Sequence, residues 1–174
     1  MNDAIVSLPH AAELGAFVGN VPPHWSSLPH LDRGTGVIFE YGDIETSSRL
    51  ESSGAGYVLV DRDRAHEEKA AEFTHLEDAE RFVAIRGGRN RSAGRWFQDR
   101  ATAPDDVDVR AEGGAYSFSW VDGAEEHEVR AFGVPEASTA YRLCWVRTLP
   151  FEQVIDVVTA QTPMDRLREH GLLR

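Results

Sequence analysis

Cysteine and lysine are nearly missing from this chain of 174 residues: Cys144 and Lys69 stand alone. One thiol excludes an internal disulfide framework and fits a reducing compartment. One lysine restricts Schiff-base or lysine-nucleophile chemistry to Lys69, and its neighbours Glu67, Glu68 and Glu72 would keep that ammonium charged and solvated. No apolar run approaches the length of a membrane span. The first twenty residues carry Asp3 and Glu13 and lack the basic start and apolar core of a secretory signal. These absences point to a cytoplasmic protein with no membrane partner. Basic charge is scarce as well, with 18 arginines and lysines against 29 acids and a net charge of −11. A field of that sign repels phosphate backbones and steers basic partners inward, so nucleic acid is not an expected ligand.

The chain has the length and the apolar content of one globular domain, taken as 1–174 with an irregular segment over 1–34. Within that segment, 9–18 reads as a short helix. Strands are expected over 36–41 and 57–61, with a polar loop over 47–56 between them and a charged connection over 62–72. The spacing of Leu76, Ala79, Phe82 and Val83 predicts a helix over 75–86. Thr74 and Glu77 have the spacing of a capping box at its start, and Gly87-Gly88 would supply a left-handed stop.

From 106 to 149 the pattern changes to a period of two. Val107-Asp108-Val109-Arg110 alternates, and Tyr116, Phe118 and Trp120 share one face. Asp122-Gly123 signals a hairpin, and His127, Val129 and Ala131 alternate after it. Tyr141, Leu143 and Trp145 extend the same reading into another strand beyond a loop over 133–138. Helices are expected over 151–160 and from Thr162-Pro163 to near Gly171. The expected fold is α+β, an antiparallel β-meander sheet with helices packed on one face.

Motifs of catalysis are sparse. None of the seven histidines stands in a metalloprotease or zinc-finger spacing, so neither a metal site nor a cofactor is expected. Cys144 sits between Leu143 and Trp145, where a buried hydrophobe is the simplest reading. Gly34-Thr35-Gly36 and Gly54-Ala55-Gly56 precede strands, whereas phosphate loops follow a strand and open a helix. A basic run from Arg81 to Arg100 with Trp96 and Phe97 has the composition of a single-strand nucleic-acid site. Glu77, Asp78, Glu80 and Asp99 lie among these arginines, and pairing with them is the reading favoured. His24 and His30 flank a proline loop and could serve a small enzyme together with a carboxylate.

The segments Gly54-Ala55-Gly56-Tyr57-Val58-Leu59-Val60, Leu76-Glu77-Asp78-Ala79-Glu80-Arg81-Phe82-Val83 and Tyr141-Arg142-Leu143-Cys144-Trp145 resemble actinobacterial immunity proteins of polymorphic toxin systems. Within that group they are most similar to antitoxins of secreted necrotizing NAD glycohydrolase toxins. The resemblance spans about residues 34–174, and its motifs are structural, so no contact residue is carried over from it. It implies a cytoplasmic, non-enzymatic antitoxin that binds its cognate toxin one to one and blocks the NAD-binding cleft. From the sequence alone, the partner-binding candidates are the acidic turns Asp105, Asp106, Glu125 and Glu126, and the polar junction Gln161 with Asp165. The alternative function is a secretion chaperone or adaptor for an exported protein. An enzyme built on His24 or His30 stands behind it.

Overall fold

The computed structural model describes residues 7–18, 36–42, 45–88 and 102–173. Among the described residues, seven strands form one antiparallel sheet: β1 (Val37–Gly42), β2 (Thr46–Ser53), β3 (Gly56–Asp63), β4 (His66–Phe73), β5 (Asp108–Glu112), β6 (Ala115–Asp122) and β7 (Glu125–Phe132). Their order is β1-β2-β3-β4-β7-β6-β5, two meanders that meet where β7 pairs with β4. That seam is short, consisting of Ala71 opposite Ala131, Glu72 opposite Arg130 and Phe73 opposite Val129. Among the described residues there are five helices: α1 (Ala11–Val18), α2 (Leu76–Gly88), α3 (Val134–Val146), α4 (Phe151–Thr159) and α5 (Pro163–Glu169). The α+β architecture expected from the sequence is the one observed.

Register shows how one face becomes the core. Phe39 pairs with Leu50, Leu50 with Leu59, Leu59 with Ala71, Ala71 with Ala131, and Ala131 with Tyr116, so one apolar row crosses the sheet. The neighbouring row on the other face reads Glu51, Val58, Glu72, Arg130, Ser117 and Arg110. Since side chains alternate along a strand, this register puts the first row against the helices and leaves the second in solvent. Helix α2 lies on β3 and β4, α3 lies on β6 and β7, and α4 packs on α2. Phe82, Phe118, Leu143 and Val154 are fully buried where these layers meet. Each such side chain contributes about 1.5–3 kcal/mol of burial.

Four local expectations are corrected. The polar stretch over 47–56 is largely strand β2, paired with β3 through eight residues. It is a central strand whose Ser48 and Leu50 are buried, so pairing on both sides overrides a composition poor in β-formers. The charged connection over 62–72 becomes β4, which turns from β3 at Arg64 and Ala65, with Arg64 at φ 56°. Gly87 and Gly88 belong to α2 itself and have no left-handed backbone. A Cβ on Gly88 would come within 1.9 Å of Val158 Cγ1, and one on Gly87 within 2.5 Å of Val18 Cγ1. Close approach of α1 and α4 is therefore what these glycines permit.

The fourth correction is the largest. Residues 134–146, read as loop and strand, are helix α3. Its buried residues Ala137, Ala140, Leu143 and Cys144 recur at intervals of three and four, and Pro135 sits in the first turn, where its missing N–H costs nothing. Thr74 Oγ1, at the start of α2, also accepts the Glu128 N–H at 2.8 Å and so ties that end of the helix to β7.

Candidate functional site

The end of the sheet formed by the β6–β7 hairpin carries the most unusual group of side chains. Gly123, at φ 63°, turns the hairpin, and Asp122 pairs with Glu125 across it. Two residues inward Trp120 pairs with His127, both on the core-facing side of the sheet. The first turn of α2 arrives over the same spot and brings Asp78; His75 precedes the helix. Asp78 Oδ2 lies 2.7 Å from His127 Nδ1. The His127 ring stacks on His75 with centroids 3.8 Å apart and on Trp120 at 5.4 Å. Arg147, from the end of α3, places its guanidinium over Trp120 at 6.0 Å.

Burial is graded along this stack. Asp78 is 1% exposed and Trp120 5%, whereas Glu125, 3.4 Å from His75 Nε2, has a side chain 72% exposed. Burial pushes the Asp78 carboxyl above its ordinary pKa, against the pull of the His127 hydrogen bond and of Arg81. Arg81 lies 3.9 Å from Asp78 and 3.6 Å from Glu77, and donates to the Leu149 carbonyl.

Two of the candidate partner-binding residues join this assembly from opposite sides. Asp106 forms a 2.5 Å ion pair with Arg147, and Glu125 reaches His75. Asp105 and Glu126 are exposed beside them, in the turn before β5 and at the start of β7. A contiguous run of contacts, Asp106–Arg147–Trp120–His127–His75–Glu125, therefore links acids 19 positions apart in sequence. Gln161 and Asp165 do not join it. They are exposed at the α4–α5 junction, where Asp165 pairs with Arg168 of its own helix. The sequence reading missed the His75, Asp78 and His127 grouping, because 49 positions separate Asp78 from His127.

A second feature is a cleft of about 510 Å³ near β1–β4 and the end of α2. Arg86 stands in it with a bidentate contact to Asp61, a 3.2 Å hydrogen bond to Ser48 Oγ and Glu136 at 3.4 Å. Burial pulls Arg86 toward neutrality, but the Asp61 hydrogen bonds and the surrounding carboxylates outweigh it and raise its pKa. The charge in this cleft is met from within the protein. Of the basic run, Arg81 and Arg86 thus pair with the chain's own acids, as expected, while Arg89, Arg91, Arg95, Trp96, Phe97 and Arg100 lie outside the described residues. His24 and His30 lie outside them too. Cys144 is fully buried, and burial pushes its thiol up to about 12, which suits a core side chain and not a nucleophile.

No family model matches the sequence, and no curated protein matches it. The fold is similar to a solved structure, Rv3902c from M. tuberculosis, with a TM-score of 0.50 and 15% identity over 67% of this chain and 70% of that one. At that identity the likeness is one of fold. Among the described residues, no helix is long and apolar enough to cross a membrane.

Proposed function

We propose that this protein is an immunity protein that binds a cognate toxin domain, an NAD glycohydrolase, one to one and occludes its active-site cleft. The observation that carries the reading is the acidic rim of the β6–β7 end. Asp105, Asp122 and Glu126 are exposed there, and Asp106 and Glu125 are joined through one aromatic and histidine stack. A largely buried centre with charged groups around it is the arrangement that gives a protein interface both anchors and steering. Negative charge at this rim suits a cleft that binds an anionic dinucleotide, because such a cleft is itself positively charged.

The segments that resemble immunity proteins fall on β3, α2 and α3, and Leu59, Ala79, Phe82, Val83 and Leu143 within them are fully buried. The resemblance is thus one of scaffold, in keeping with the similarity of fold to Rv3902c. An interface of about 1,200–2,000 Å² in total would suffice for tight binding.

The test is a titration of the protein into the C-terminal domain of a secreted toxin encoded beside it, with NAD hydrolysis and complex formation followed together. Inhibition that is complete at one equivalent, with a Kd of about 1 nM or below, supports the reading. Binding that leaves hydrolysis intact would favour a secretion chaperone instead. No binding would remove the pairing.

A further inference from the structure

We propose that His75, Glu125 and His127 form a binding site for a divalent transition metal, with Zn²⁺ the ion their chemistry suits. One ring nitrogen of each histidine and one Glu125 oxygen all lie within 4.8 Å of one another. Two imidazoles and one carboxylate are a sufficient protein donor set for zinc, with the fourth position left to water. The residues behind them are arranged as a metal site requires. His127 Nδ1 is held by Asp78 Oδ2 at 2.7 Å, and His75 Nδ1 by Thr74 Oγ1 at 2.9 Å. Both rings therefore commit Nδ1 to a supporting oxygen and leave Nε2 for the ion. A buried carboxylate on the far nitrogen of a ligating histidine fixes its tautomer and raises its basicity. Asp78 is that carboxylate, and Thr74 is anchored in turn by the Glu128 N–H.

The three ligands differ in freedom, and this decides how the site loads. His127, with a side chain 12% exposed, is wedged between Asp78 and Trp120 and acts as the fixed ligand. His75 and Glu125 have side chains 29% and 72% exposed. The two rings now stack at 19° to one another, whereas a shared ion must lie in the plane of both. Loading turns the His75 ring out of the stack and swings the Glu125 carboxylate inward, motions that their exposure allows. Binding requires neutral imidazoles, so protons compete with the ion for these nitrogens and acid weakens the site.

The test uses the full chain without an affinity tag, titrated with Co²⁺ for its visible d–d absorption and with Zn²⁺ by calorimetry. The expected result is one equivalent bound in a tetrahedral or five-coordinate spectrum, and at least tenfold weaker binding in His75→Gln and in Glu125→Gln. Both substitutions are at partly or fully exposed side chains, so the fold survives them. Asp78→Asn, checked for folding by circular dichroism, should weaken binding about 10–100-fold without removing a ligand. His66→Gln, at an exposed histidine beside Glu68, should leave it unchanged. Absence of stoichiometric binding, or binding that His75→Gln and Glu125→Gln leave unaltered, overturns the proposal.

Discussion

Single polar contacts in this protein have consequences that can be measured. His10 donates its backbone N–H to Glu80 Oε1 at 2.7 Å and brings its ring nitrogen to Oε2 at 2.9 Å, while the ring stacks on Phe151. The Glu80 hydrogen bond is the largest influence on His10 and raises its pKa above 6.5, against a smaller effect of burial. Because the raised value belongs to the folded state, the proton stabilises that state. The contribution is complete below the unfolded pKa and is lost as pH rises through the folded one. The thermal midpoint of the wild type should therefore exceed that of His10→Gln at about pH 6, and the gap should narrow toward about pH 8.5. A gap that widens with pH would contradict the assigned pairing. Cys144 offers a second check. A fully buried thiol pushed up to about 12 should ignore Ellman's reagent in the native protein and react fully once the chain is unfolded in guanidinium.

Helix packing decides what the glycines of α2 do. A Cβ at position 88 would overlap Val158 Cγ1, whose own side chain is 1% exposed and β-branched, so it has little room to turn away. Gly88→Ala gains helix propensity of about 1 kcal/mol and loses more than that to overpacking, which costs about 1–3 kcal/mol. Net destabilisation is expected in urea unfolding. Combining it with Val158→Ala should give a total loss smaller than the sum of the two single losses, since the second change opens the space the first requires. Additive losses would mean that α2 and α4 are not in contact at this point. The contrast with Gly113 is instructive. Nothing lies within 4 Å of a Cβ there, and a substitution is opposed only by the backbone at φ 59°.

On the scale of the whole molecule, the proposed pairing with a toxin rests on charge. With a net charge of −11 and an acidic rim on one end of the sheet, that proposed association should slow as salt rises. The quadruple variant Asp105→Asn, Asp106→Asn, Glu125→Gln, Glu126→Gln should lower the association rate about tenfold at low salt and flatten its salt dependence. Changing Gln161 and Asp165 should have less effect on that rate, because the fold sets them on the α4–α5 junction and outside the linked rim. Stopped-flow association at several salt concentrations separates these outcomes.

Local physics settled a good part of this architecture. The 3.6-residue spacing of Leu76, Ala79, Phe82 and Val83 specifies α2, and alternation through Phe118 and Val129 specifies β6 and β7, because each pattern buries one face in only one regular structure. Scarcity of lysine and cysteine, and the excess of acid, likewise narrowed the chemistry without reference to shape. Tertiary structure decided the remainder. Ser48 and Leu50 become a central strand only because β1 and β3 supply backbone partners on both sides. Tyr141, Leu143 and Trp145 fit a strand when every second residue is considered, and the deciding Ala137 and Ala140 carry too little apolar bulk to mark a helix. Asp78, His75 and His127 are brought together by β7 returning beside the start of α2, after an excursion through two further strands. A sequence records neighbours along the chain, whereas a site is a meeting of residues across it, and only the register of β4 on β7 fixes which histidine that aspartate meets.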